Sequence, residues 1–109
     1  MLYAVYCRDA NVVPGLRQHH YPAHRQHLQS MPGEMRLVMA GPLMNQLPDE
    51  FAGSLLVIDS ESEDSVRKFV AADPFTQQNV WIEQLIHPFL PIASSPAPES
   101  SSTSTKGQS

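Results

Sequence analysis

Gly53-Ser54-Leu55-Leu56-Val57-Ile58-Asp59 runs straight into Ser60-Glu61-Ser62-Glu63. The first seven residues are a nearly continuous apolar run of strand length, which reads as a buried strand. Ser60-x-x-Glu63 has the form of a capping box, in which each side chain bonds the other's backbone N–H and opens a helix. That helix is expected to run to about Ala72 and to bury Val66, Phe69 and Val70. Asp73-Pro74 ends it, because the residue before proline is pushed out of the helical region.

Upstream, Glu34–Met39 alternates Met35, Leu37 and Met39 against Glu34, Arg36 and Val38, a second strand that Ala40-Gly41-Pro42 should end. Leu43–Ala52 reads as a loop with a turn at Pro48-Asp49. From Leu16 to about Met31 the apolar and half-apolar positions recur at three- and four-residue steps, one face of a helix. Proline is tolerated only in a first turn. Pro22 therefore predicts that the regular helix begins near Tyr21, and Met31-Pro32-Gly33 stops it. Leu2–Cys7 reads as the first strand, followed by a polar loop over Arg8–Gly15. Downstream, Val80–Phe89 alternates Trp81, Leu85 and Phe89 with Ile82 and Ile86 and reads as the last strand. The order β-α-β-β-α-β is the split βαβ pattern of ferredoxin-like α+β folds, a four-stranded antiparallel sheet with both helices on one face. The other face needs a cover, and a second copy is the economical one for so short a chain.

The chain has 109 residues, 41% of them apolar, which is enough for one modest core over residues 1–92. From residue 93 to 109 the Ser/Thr/Pro-rich composition has almost no apolar side chains to offset ordering entropy, and a disordered tail is expected. The net charge is −4 and the Lys and Arg residues are scattered, so no phosphate-binding patch exists and nucleic acid is not an expected partner. No apolar run approaches the roughly 20 residues that span a bilayer. The N-terminus does not read as a signal peptide, and the single cysteine, Cys7, cannot form an intramolecular disulfide. Together these favour a reducing cytoplasm. Cys7 lies within a strand pattern and reads as a core residue rather than a nucleophile.

Four of the five histidines, His19, His20, His24 and His27, fall within nine positions. Spacing puts His20, His24 and His27 on one helical face, which raises Zn²⁺ as a ligand. No Cys or His-Glu-x-x-His pattern supplies a further ligand, so no metal is assigned, and His19 and His27 read as surface or half-buried. Asp73 before Pro74 is an ordinary helix-to-turn junction by itself. In the expected topology, however, a residue of the first helix can meet the end of the second. A carboxylate there would fix the tautomer of His24 and raise its basicity.

Several segments resemble the YciI-like family in order and spacing. They are Met1–Tyr6, Arg17 followed by Tyr21-Pro22-Ala23-His24, Ala40-Gly41-Pro42, Gly53-Ser54 and Ala72-Asp73-Pro74-Phe75. The resemblance implies a dimeric α+β barrel with His24 and Asp73 as the catalytic pair. It also implies that Arg17 supplies a cation to an anionic substrate. His20, which has no family counterpart, Tyr21, Ser54 and Pro74 complete the expected substrate contacts. Members commonly carry Arg where this chain has Tyr21, which points to a less anionic or more aromatic substrate. The best-defined chemistry associated with the family is removal of HCl from a chlorinated hydroxyhydroquinone in aromatic degradation, by acid–base catalysis without a cofactor. The leading expectation is therefore a carbon–halide lyase acting on a small aromatic substrate. The alternative is a dimeric binding or regulatory module of the same fold with no turnover, and a metal protein using His20, His24 and His27 stands third.

Overall fold

A computed structural model describes residues 1–47 and 50–94. The expected turn at Pro48-Asp49 and nearly all of the expected tail lie outside the described residues. The elements run β1 (Leu2–Asp9), α1 (Leu16–Gln29), β2 (Arg36–Met44), β3 (Phe51–Asp59), α2 (Glu63–Ala71), α3 (Pro74–Gln77) and β4 (Trp81–Phe89). The strands form one antiparallel sheet in the order β2-β3-β1-β4. This is the ferredoxin-like α+β arrangement. Inward residues Tyr3, Val5, Cys7, Leu56, Ile58 and Trp81 meet Leu28 of α1, Val66, Phe69 and Val70 of α2, and Phe75 of α3 in a single core. All helices therefore lie on one sheet face.

Gly53 fixes the closest approach of β1 and β3. A Cβ there would sit 2.0 Å from the carbonyl oxygen of Cys7, so no larger residue fits without moving backbone.

Several local expectations are corrected. The first helix begins at Leu16, not near Tyr21, and Pro22 lies inside it. Pro22 has no N–H to offer the Gln18 carbonyl, so the turns before it are held by other means. Gly15 enters the helix at φ 79°, His19 N–H donates to Gly15 O, and Arg17 is anchored to the sheet. The second strand does not end at Ala40-Gly41-Pro42 but runs through it. β2 is an edge strand, where a residue without an N–H is tolerated. Its expected alternation breaks at Val38, the extra residue between the pairs Leu37–Ile58 and Met39–Val57, and this bulge leaves Met39 exposed. The second helix is capped by Ser62, whose hydroxyl accepts from Ser65 N–H, and not by Ser60. Ser60 instead folds its hydroxyl onto the Ser62 backbone. Asp73-Pro74 ends α2 as expected, then starts the extra turn α3. In β4 a register shift opposite Arg8 and Asp9 makes Ile82 the extra residue. Trp81 therefore points inward, away from the face that Leu85 and Phe89 occupy.

Candidate active site

The helix-side face of the sheet carries an unusual number of polar groups for so small a core: Asp9, Arg17, His24, Ser54 and Asp73 are all buried. His24 comes from the middle of α1 and Asp73 from the α2–α3 junction. His24 Nδ1 lies 2.8 Å from both carboxylate oxygens of Asp73, and neither side chain is accessible to solvent. Asp73 also caps α3, accepting from Phe75 N–H at 2.8 Å. A carboxylate that accepts from that amide also accepts from the imidazole, so Nδ1 carries a proton, and in the neutral ring Nε2 keeps its lone pair. Nε2 is itself buried and has no hydrogen-bond partner among the described residues.

Aromatic rings hold the imidazole in place. Phe75 stacks on it at 4.0 Å and 5°, Trp81 meets it edge-on at 5.3 Å, and Tyr21 lies tilted at 6.4 Å. Beside this cluster Arg17 Nη1 donates to both oxygens of Asp9 at 2.8 Å. Its Nη2 donates to Ser54 Oγ at 2.9 Å, and the same oxygen accepts from Trp81 Nε1 at 3.2 Å. The guanidinium also lies over the rings of Phe51 and Phe75. Burial pushes the Asp9 carboxyl above its ordinary value, and Arg17 and then His24 pull it part of the way back. Burial, reinforced by Asp73 and Asp9, pushes the Cys7 thiol far up, so it stays protonated and is no nucleophile.

The arrangement is a buried imidazole oriented by a carboxylate. The chain matches the YCII-related domain over residues 1–90. It belongs to that family. It is 30% identical over 94 residues to Protein YciI of Escherichia coli O6:H1 and equally to Protein YciI of Shigella flexneri, covering 82% of this chain and 96% of each relative. Among solved structures it resembles the 5-chloro-2-hydroxyhydroquinone dehydrochlorinase TftG of Burkholderia phenoliruptrix AC1100, in complex with 2,5-dihydroxybenzoquinone. That likeness has a TM-score of 0.73 at 26% identity over 83% of this chain and 94% of that one.

The positions expected from the sequence do not all fall in one place. His24 and Asp73 are in direct contact, with Pro74 and Tyr21 half-buried next to them. Tyr21 accepts a hydrogen bond from Arg25. Arg17 and Ser54 form the neighbouring polar network. His20, half-buried, stacks edge-on with His19 at 4.7 Å. His27 stacks on Phe69, and its Nε2–H donates to the Phe69 carbonyl. With His24 turned to Asp73 and His27 to a carbonyl, the three helix histidines do not converge, and among the described residues no cluster is arranged to hold a metal ion. Among the same residues no helix is long and apolar enough to cross a membrane.

Asp9, Phe51 and Trp81 were missed as site residues. The sequence held a signal for Asp9, since it continues the inward parity of Tyr3, Val5 and Cys7. A cleft of about 240 Å³ opens at this end of the sheet, lined by Asp9 and Arg17 with Asn11, Val13, Phe51 and Val80. His24 and Asp73 do not line it.

Proposed function

We propose that this chain is a cofactor-free lyase, working as a homodimer, that removes HCl from a chlorinated hydroxyhydroquinone or a closely related hydroxylated aromatic. The observation that carries the reading is His24 Nε2, a buried acceptor without a partner on a ring whose other nitrogen is held by Asp73. Leaving a buried polar atom unsatisfied costs about 1–3 kcal/mol, a cost that makes sense if a hydroxyl of the substrate fills the position. The rings of Phe75, Trp81 and Tyr21 around it suit a flat aromatic guest.

The chemistry balances with one imidazole. Converting a chlorotrihydroxybenzene to a hydroxyquinone and HCl removes two hydroxyl protons, adds one proton to the chlorine-bearing carbon and releases chloride. His24 takes the first hydroxyl proton at Nε2. The imidazolium then returns it to the chlorine-bearing carbon, which gives the keto tautomer. Finally Nε2 takes the second hydroxyl proton as the C–Cl bond breaks and its electron pair leaves with chloride. The oxidation of the ring is matched by reduction at the carbon that loses chlorine, so no outside oxidant enters. Asp73 holds the Nδ1–H and balances each imidazolium. Arg17, at the cleft, stabilises developing negative charge. Tyr21 and Pro74 contact the ring, and Ser54 acts through its hold on Arg17. Since His24 is sealed from the cleft, substrate enters by a local opening between the two.

That complete burial is also the observation that favours the second reading, a binding module without turnover. Chloride release separates them, measured on a panel of chlorinated hydroquinones and hydroxyhydroquinones with wild type, His24→Ala and Asp73→Asn. Release by wild type and its loss in both variants is the expected result. Folded wild type that releases no chloride from any member overturns the lyase.

A further inference from the structure

Glu50 is the residue just before β3, and the backbone holds it there. Its carbonyl accepts from Asn45 N–H at 2.8 Å, and its N–H donates to Leu47 O at 3.3 Å. It stands at the end of the sheet where β1 delivers Asp9 and α1 delivers Arg17, the end at which the cleft of about 240 Å³ opens. Among the described residues that line this cleft, Asp9, Arg17 and Glu50 carry the formal charges. Asn11, Gln18 and Asn79 add neutral amides, and Phe51 and Val80 supply apolar wall.

The two acids and the cation differ in what they offer a ligand. Asp9 and Arg17 are each 6% exposed, and Arg17 Nη1 donates to both Asp9 oxygens while Nη2 donates to Ser54. A ligand carboxylate that drew Arg17 to itself would strip a buried carboxylate of its partner, which is strongly unfavourable. Arg17 is therefore a poor anchor for the anionic substrate that the family resemblance implied. Glu50 is exposed, and its charge is met by whatever enters. The dipole of α1, whose first turn also lines the cleft, works the other way. It amounts to about half a charge and fades within that turn, and Leu16 N–H is already given to Val13 O. The full charge of Glu50 outweighs it. Charge that develops on a reacting hydroxyl is a separate matter, because it arises together with the proton on His24. A carboxylate on the ring is a full charge before any chemistry and has no such companion.

We propose that the cleft selects uncharged hydroxylated rings against rings that bear a carboxylate, and that Glu50 sets this preference. Neutral amides suit hydroxyl groups, which both donate and accept, and the apolar wall suits the ring. The proposal rests on the cleft being the way to His24, as above, and narrows the substrate of that site to the uncharged members of its class.

The test compares 2,5-dihydroxybenzoate with its methyl ester, two probes of similar shape of which only the first is charged at neutral pH. Binding to the full chain is followed at low salt by ¹⁵N NMR, through the side-chain amides of Asn11, Gln18 and Asn79. Wild type should bind the ester at least about threefold more tightly than the acid, the scale of one exposed charge. Glu50→Gln keeps the size and disturbs neither backbone bond, and it should cut that ratio about threefold. Glu50→Lys should favour the acid. In 1 M salt, where the screening length is about 3 Å, wild type and Glu50→Gln should give the same ratio. Three results overturn the proposal: equal binding of both probes by wild type, a ratio that Glu50→Gln leaves unmoved, or no shift of the three amides with either probe. None of these readouts depends on turnover. Chloride release by a protein without charge selection would leave the lyase standing and remove Glu50 from it. Charge selection without chloride release would keep the preference of the cleft and remove the lyase.

Discussion

Ser54 has a two-atom side chain, and its oxygen accepts from two buried donors, Arg17 Nη2 and Trp81 Nε1. Ser54→Ala deletes little volume but strips both donors of an acceptor that water cannot replace. We expect a loss of about 1–3 kcal/mol in urea unfolding, the cost of leaving the buried Trp81 indole N–H without its acceptor. A loss under about 0.5 kcal/mol would mean that the network is not rigid. Asp9 has its own pH signature. Its folded carboxyl titrates above 3.8, so the folded state binds the proton more tightly. That contribution is full below 3.8, is lost as pH rises through the folded midpoint, and is flat above it. Asp9→Asn should lack this fall, which parallel unfolding curves between pH 3 and 7 would reveal as a difference in slope. The contact between His24 and Asp73 was legible in the sequence because both lie in recurring family motifs, Pro22-Ala23-His24 and Asp73-Pro74. Asp9 was harder to read: the inward parity of Tyr3, Val5 and Cys7 extends to it, but a polar residue at a strand end looks like loop. Trp81 gave no clue to its facing either, because its direction depends on a bulge at Ile82 that alternation cannot foresee.

The elements around the site tolerate change unequally. In β3, Gly53→Ala would drive a methyl into the Cys7 carbonyl, backbone atoms that cannot swing aside as a side chain can. The cost should far exceed the about 1 kcal/mol of an average substitution, and loss of the cooperative unfolding transition is the expected result. In α1 the reverse holds. Pro22 interrupts the helix ladder at an exposed position. Pro22→Ala restores one N–H and should stabilise by about 1–2 kcal/mol. That is the interior-proline penalty less the entropy the unfolded chain regains. No gain would show that the carbonyl of Gln18 is already satisfied elsewhere. These two positions also explain what the sequence disclosed about the fold. Element order followed from hydrophobic period and turn residues, which are local. Boundaries did not, because tertiary contacts decided them: Arg17 anchoring extends α1 past its proline, and edge placement lets β2 run through Pro42.

At the scale of the whole molecule, the sheet has a second face that no helix among the described residues covers. Strand alternation and pairing put Leu2, Ala4 and Tyr6 of β1, Leu55 and Val57 of β3, and Leu85 and Phe89 of β4 on it. Met39 joins them from the edge, and Leu85, Phe89 and Met39 are 42%, 44% and 57% exposed. A largely apolar surface of this kind, interrupted on β4 by His87 opposite Ala4, marks an interface, and the homodimer we propose would bury it. The charged pairs on the same face, Arg8–Glu83 and Arg36–Asp59, are exposed and sit towards its ends. Exposed pairs are worth little and are screened by salt, so the apolar centre must carry the association. Two consequences follow for sedimentation analysis at micromolar concentration. Wild type should be a dimer both at low salt and in 1 M salt. Leu55→Lys/Leu85→Glu, which alters the outer face and leaves the inward core intact, should be a folded monomer. A wild type that dissociates as salt rises would move the binding energy to the rim, and a monomer at every concentration would remove the dimer from the proposed function.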